Sequence, residues 1–223
     1  MAVTKEFSSI VFDLDGTLVD SAPGIISSFR AVLSQAGISP TGPLDQSIIG
    51  PPLRKTLSLL TGSNESKLLD TLCADFKKHY DQLGALETPY FPGIPTLLKN
   101  LINSGITLHI CTNKRQFPCE RILSSLGWEN KFSSLYALDR EQGKYSDKSS
   151  LLAAQIRELA LDPATTAYIG DTTADGIASE ANGIPFYYAA WGYGNATSND
   201  SPTHWTWSVS PEALSQTLLG QAY

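Results

Sequence analysis

The sequence predicts an α/β fold: a parallel sheet with helices on both faces, interrupted near its start by a block of helices. Three observations predict it. From residue 94 onward, short apolar and β-branched runs alternate with segments of helical spacing, the signature of strand–helix–strand units. Between residues 22 and 88 the spacing is helical throughout and no strand pattern appears. Polar clusters then follow four of the predicted strands, where an open parallel sheet displays its site.

Taken in order, Ser9 to Phe12 reads as a short buried strand, with the apolar run Ile10 to Phe12 at its heart. Pro23 to Ala36 is a helix by the spacing of Ile26, Phe29 and Leu33, stopped by Gly37. Leu53 to Leu60 and Glu65 to Leu83 are further helices, separated by Thr61-Gly62-Ser63-Asn64. Pro89-Tyr90-Phe91-Pro92-Gly93 is dense in turn formers and reads as a hinge. Ile94 to Ser104 is a helix ended by Gly105, and Ile106 to Cys111 a strand. A helix follows near Pro118 to Leu126, then a strand at Ser134 to Leu138. Lys148 to Ala160 is a helix with its N-cap at Ser146 or Asp147. Ala164 to Ile169 is a strand, Thr173 to Asn182 a helix, and Pro185 to Ala189 a strand. The chain therefore divides into a Rossmann-like core, residues 1–20 and 90–223, and a helical insert, residues 21–89.

Composition narrows the function. The chain has 223 residues, 42% hydrophobic and 17% charged, which is globular. A net charge of -6 argues against a nucleic-acid or anionic-membrane surface. No apolar run reaches the roughly 20 residues that span a bilayer. Met1 to Ser9 carries no apolar leader segment, so no signal peptide is read. Cys73, Cys111 and Cys119 are odd in number and widely spaced, which suits free thiols and a cytoplasmic location. The pattern does not choose between a monomer and a homodimer.

The chemistry concentrates in four places. Asp13 and Asp15 follow the first strand and precede Gly16-Thr17. Thr112 and Asn113 follow the strand Ile106 to Cys111. Lys148 opens the helix after Ser134 to Leu138, and Asp171 and Asp175 follow Ala164 to Ile169. Carboxylates gathered at strand ends repel: a pair 4 Å apart costs about 4 kcal/mol at an effective dielectric of 20. A divalent cation removes that cost. Oxygen ligands, with His79, His109 and His204 scattered, favour Mg²⁺ over zinc. Thr112 and Lys148 supply a hydroxyl and a cation for phosphate oxygens.

Asp-Leu-Asp-Gly-Thr, Thr112-Asn113, a lysine at a helix start and Gly-Asp-x-x-x-Asp, in that order, resemble the four motifs of the haloacid dehalogenase superfamily. The helical insert looks like that superfamily's type 1 cap. Gly50-Pro51-Pro52-Leu53-Arg54, Tyr90-Phe91-Pro92-Gly93 and Trp191-Gly192-Tyr193-Gly194 look like its phosphoglycolate phosphatase-like branch. The resemblance implies that Asp13 attacks phosphorus, that Asp15 carries the proton, and that Mg²⁺ sits among Asp13, Asp15, Asp171 and Asp175. It implies that Asp15 reaches the ion through its backbone carbonyl. It also implies that Thr112, Asn113 and Lys148 bind the phosphoryl group. Dehalogenase relatives carry Tyr two residues after the nucleophile, phosphonate hydrolases Ala and transport ATPases Thr; Asp15 matches phosphatases and phosphomutases. Mutases of the β-phosphoglucomutase type carry His twelve residues after the nucleophile, where this chain has Ile25. The implied activity is hydrolysis of a small-molecule phosphate monoester, with phosphoglycolate, nucleotide and sugar-phosphate substrates all open. A receiver-like signalling domain shares the acidic pair, Thr and Lys, and the helical insert argues against it.

Several residues keep two readings. Lys144 competes with Lys148, which is preferred because the apolar face at Leu151 and Leu152 starts from it. Arg54 is a substrate contact from the insert or a solvated helix arginine. Lys114 and Arg115 read as a solvated pair. Trp191, Trp205 and Trp207 read as packing against the core edge, and Cys111 as a buried structural thiol.

Overall fold

The structure, a computed structural model, describes residues 7–49, 52–198 and 201–220. The leader reading at the N-terminus falls largely, and the Gly50-Pro51 part of one motif wholly, outside the described residues. Contacts divide the chain into two compact units, Met1–Asp20 with Tyr90–Tyr223, and Ser21–Pro89.

The first unit is built on six parallel strands: β1 (Ser9–Phe12), β2 (Thr107–Thr112), β3 (Ser134–Ala137), β4 (Thr166–Gly170), β5 (Phe186–Ala189) and β6 (Thr206–Ser208). Their order is β3-β2-β1-β4-β5-β6. The chain steps outward from β1 to β3, then crosses back to β4 on the other side of β1. That reversal puts the switch point between β1 and β4, where such sheets open a crevice beyond the strand ends. All four residues of β1 are buried, as a strand covered on both faces must be. The helices are α4 (Ile94–Asn103), α5 (Gln116–Ser125), α6 (Lys148–Glu158), α7 (Thr173–Ala181) and α8 (Pro211–Leu219). α4 packs with α8, and α6 with α7.

The sequence reading found five of these strands and missed β6 and α8. β6 has three residues, only Trp207 among them large and apolar, so no periodicity marks it. α8 does carry a local sequence signal: the Ser210 hydroxyl caps Ala213 N–H and Pro211 opens the first turn. β2 runs one residue further than read, so Thr112 ends the strand rather than following it. The aromatic C-terminal region is core: Trp205 meets Phe186 edge-on at 4.9 Å, and Trp207 stacks on Tyr188 at 4.1 Å.

The second unit holds α1 (Ala22–Gln35), α2 (Leu53–Thr61) and α3 (Ser66–His79). α3 ends earlier than read because the chain widens into a π turn, Tyr80–Gly84, closed by Ala85 N–H to the Tyr80 carbonyl at 2.8 Å. The reason lies in packing. α1 crosses this turn at Gly24 and Gly84, where a Cβ on either glycine would run into the other's backbone carbonyl oxygen. Gly24→Ala is therefore expected to cost about 1–3 kcal/mol by overpacking. Thermal denaturation should show a drop of several degrees, and Gly24→Val a larger one.

Candidate functional site

The ladder between β1 and β4 extends one residue beyond Phe12, because Asp13 N–H donates to the Ile169 carbonyl at 2.8 Å. Asp13 is thereby fixed at the mouth of the switch point. The turn after it is closed by the Leu14 carbonyl, which accepts from Leu18 N–H at 3.0 Å and Val19 N–H at 3.1 Å, and by Gly16 N–H to Val19 carbonyl at 2.9 Å.

β4 delivers Gly170 and Asp171, and α7 begins at once. Thr172 is its N-cap in a reciprocal box with Asp175, whose Oδ2 accepts from Thr172 N–H at 2.9 Å and from its hydroxyl at 2.6 Å. The box folds Asp175 back over Gly170, where a Cβ would collide with the Asp175 side chain. That is the physical content of Gly-Asp-x-x-x-Asp here. Carboxylate oxygens of Asp13, Asp171 and Asp175 lie within 4.8 Å of one another, all three residues buried.

Lys148 answers part of that charge. Asp147 caps α6, accepting from Ser150 N–H at 2.8 Å, which makes Lys148 the first helical residue. Its Nζ bonds Asp175 Oδ1 and lies 2.9 Å from Asp13 Oδ1. The second contact is an ion pair at hydrogen-bond distance, and the buried Asp13 Oδ1 meets no other donor among the described residues. Asp175 Oδ1 also accepts from the buried Tyr168 hydroxyl at 3.3 Å, and that hydroxyl reaches the Cys111 carbonyl at 2.8 Å. Lys144, by contrast, is exposed and pairs with Glu141 at 2.7 Å.

Asp171 is gripped from other directions: Oδ1 accepts from the Thr17 hydroxyl at 3.2 Å and Oδ2 from Tyr193 N–H at 2.8 Å. Trp191 Nε1 donates to the Thr17 carbonyl at 2.9 Å, so the loop after β5 braces the turn after β1. The Trp191-Gly-Tyr-Gly stretch thus packs against the site itself, not merely the core edge.

Burial dominates the electrostatics. It pushes Asp13 up from an ordinary 3.8 to about 7, with Lys148 opposing and Asp175 and Asp171 adding to the rise. It pushes Asp171 to about 6, helped by Asp175 and opposed by the Tyr193 N–H, Lys148 and Thr17. Burial disfavours the Lys148 charge, but Asp13 and Asp175 outweigh it and hold the ammonium above the ordinary lysine range. Burial also pushes the Cys111 thiol up, which leaves it inert as a nucleophile.

Thr112 is buried at the end of β2 and its hydroxyl accepts from Lys114 N–H at 3.3 Å; Asn113 is exposed in the turn. The Asp15 carboxylate is not in the acidic trio. It receives Lys114 Nζ at 2.9 and 3.0 Å. The reading of Lys114 as solvated was wrong: its side chain is 8% exposed. No sequence signal marks this pair, whose members stand 99 residues apart. Arg54 lies in the helical unit, where it bonds Asp70 and the Ser66 hydroxyl. Ile25 sits in the first turns of α1, half-buried. The histidines bond elsewhere: His79 with Ser28, His109 with Ser134 and His204 with Glu180. Among the described residues no helix is long and apolar enough to cross a membrane.

The family described as haloacid dehalogenase-like hydrolase matches residues 10–189. The chain is 35% identical over 188 residues to the tyrosine-protein kinase PtkA of Mycobacterium tuberculosis, covering 84% of this chain but only 63% of that protein. It is 30% identical over 199 residues to the phosphoglycolate phosphatase of Xanthomonas campestris pv. campestris, covering 88% of each. A haloacid dehalogenase-like hydrolase from Streptococcus pneumoniae superposes with a TM-score of 0.79 at 25% identity, over 94% of this chain and 97% of that one.

Two outcomes follow from the charges. Lys148 pairs with Asp13 and Asp175, so Lys148→Met leaves two buried carboxylates without their cation and should destabilise the metal-free protein by about 3–5 kcal/mol. Lys144→Met should barely move the melting temperature, and equal effects would contradict the geometry. Asp171, raised in the folded state, stabilises nothing by ionising. Below pH 3.8 both states hold its proton; as pH rises through about 6 the unfolded state ionises first and stability is lost. In chelator, melting scans should therefore shift toward Asp171→Asn relative to the parent between pH 4 and 7, by on the order of 3 kcal/mol.

Proposed function

This chain belongs to the haloacid dehalogenase-like hydrolases, and on that premise we propose that it is a Mg²⁺-dependent phosphatase that cleaves a small phosphate monoester through an aspartyl-phosphate on Asp13. The observation that carries the reading is Asp13 itself, a buried carboxylate at a strand end with Lys148 Nζ 2.9 Å from one oxygen. A carboxylate so buried can attack an electrophile, and the lysine can hold the anion that arrives.

The residues fit a hard divalent cation. Three buried carboxylates face one ammonium, and among the described residues no histidine or thiol joins the group. Asp13 and Asp171 would hold the ion, with the Asp15 backbone carbonyl, and Asp175 stands behind them. When bound, the ion supplies the positive charge that keeps Asp13 ionised and offsets the charge on phosphoryl oxygens.

The chain's own groups then divide the work. Lys148, the Thr112 hydroxyl and the turn at Asn113 bind the phosphoryl oxygens. The Asp13 carboxylate forms a bond to phosphorus as the ester P–O bond breaks, and Asp15 gives the leaving alkoxide its proton. Asp15, now ionised, takes a proton from water as that water attacks phosphorus. Phosphate leaves and Asp13 is restored. The helical unit, residues 21–89, acts as a cap that excludes bulk water and chooses the substrate, with Arg54 among its candidate contacts. Phosphoglycolate is the first substrate to test, because a relative matched over 88% of both chains at 30% identity carries that name. Nucleotide and sugar monophosphates complete the panel. The reaction suits the cytoplasm, where free thiols persist.

The relative named a tyrosine-protein kinase supports a second reading, phosphoryl transfer to a protein tyrosine. One set of assays separates them. Hydrolysis predicts phosphate release from p-nitrophenyl phosphate and from one member of the panel, dependent on Mg²⁺, abolished by chelator and reduced by several orders of magnitude in Asp13→Asn. Phosphotyrosine formed from ATP, with no ester hydrolysed, would select the second reading. An active Asp13→Asn enzyme would sink both.

A further inference from the structure

Asp15 and Lys114 are set against each other by two rigid turns. The Lys114 backbone is tied at both ends: its N–H donates to the Thr112 hydroxyl at 3.3 Å, and its carbonyl accepts from Leu138 N–H at 3.3 Å. Gln116 N–H donates to Asp139 Oδ1 at 2.7 Å, which pins the start of α5 to the same loop after β3. On the other side, Asp15 pairs with Val19 in an isolated bridge inside the turn after β1. Lys114 Nζ meets both Asp15 oxygens, at 2.9 and 3.0 Å. Among the described residues no other side chain bonds that carboxylate. Lys114 is nearly buried at 8% exposure, while Asp15 keeps 23% and therefore an open side.

An exposed ion pair of this kind would be worth little. Here the cation is withdrawn from water and the carboxylate is left half open, an arrangement that fixes an orientation. A carboxylate at the end of a turn rotates freely about its last two side-chain bonds unless something holds it. A proton donor must meet the leaving oxygen at hydrogen-bond distance, so that freedom is costly to catalysis. We infer that Lys114 is a positioning residue for the reaction: it holds the Asp15 carboxylate in the orientation from which it serves the leaving group and the water. The assignment rests on the hydrolase reading above.

The test varies the leaving group. p-Nitrophenolate departs without help, whereas an alkoxide needs a proton. kcat/KM is measured for p-nitrophenyl phosphate and for an alkyl phosphate, with the parent enzyme, Lys114→Met and Asp15→Asn as reference. Lys114→Met should lose on the order of a hundredfold more on the alkyl ester than on the aryl ester, in the same sense as Asp15→Asn. Lys114→Arg, which keeps a cation able to face both oxygens, should recover most of the loss. Equal losses on both esters would make Lys114 a phosphate-binding group and overturn the inference. A lowered melting temperature with unchanged leaving-group dependence would make it structural and overturn it as well. Lys114→Gln carries the same comparison if the Met variant does not fold. A parent enzyme that releases phosphate from neither ester would overturn the hydrolase reading, and this inference with it.

Discussion

Three carboxylates buried around one ammonium are the constraint on which the rest of the site depends. Asp13, Asp171 and Asp175 come from two neighbouring strand ends, and Lys148 comes from the start of a helix on another connection. None of them is tolerable alone at that depth. Their mutual placement therefore has to be fixed by groups outside the cluster. Asp147 and Ser150 cap α6 so that Lys148 is its first residue; Thr172 and Asp175 cap α7 so that the second carboxylate folds back. Tyr168, buried in β4, ties Asp175 to the backbone of β2. Two helix caps and one tyrosine thus hold a charge arrangement that the bare sheet could not.

Asp175 illustrates what this accounting decides. Both its oxygens are occupied, one by Lys148 and Tyr168, the other by Thr172. A carboxylate so saturated orients the lysine and has little left to offer an ion directly. Asp13 Oδ1 is buried and meets only the Lys148 ammonium among the described residues. The open valence of the cluster therefore lies toward Asp13 and Asp171, the side on which the Trp191–Gly194 loop closes.

Much of this was legible in the sequence, for identifiable reasons. Strand–helix alternation is a local pattern, so the parallel core could be read from residue spacing alone. Asp13, Asp15, Asp171 and Asp175 stand out because carboxylates directly after apolar runs are unusual in any role but a cap or a site. Lys148 could be preferred over Lys144 because it opens a helix whose apolar face begins at Leu151 and Leu152. The failures are equally specific. A lysine in a polar turn looks solvated unless the distance to Asp15 is known, and that distance belongs to the register of β1 against β2. β6 is too short to show a period. The π turn depends on two glycines meeting across 60 positions of chain, Gly24 and Gly84, which no window detects.

The pair Asp13 and Asp15 shows how one strand end can place two carboxylates in different surroundings. They are two residues apart, yet the turn that begins at Leu14 sends their carboxylates to different cations. Asp13 goes inward to Lys148, at the switch point; Asp15 goes to Lys114, at the edge of the β2 turn, and keeps contact with solvent. Burial raises Asp13 toward neutrality, so its ionised form depends on added positive charge. Asp15 is less buried and separately paired, while Asp13 is shielded from water. The two carboxylates are kept apart because their partners are: Lys114 follows β2, whereas Lys148 opens α6.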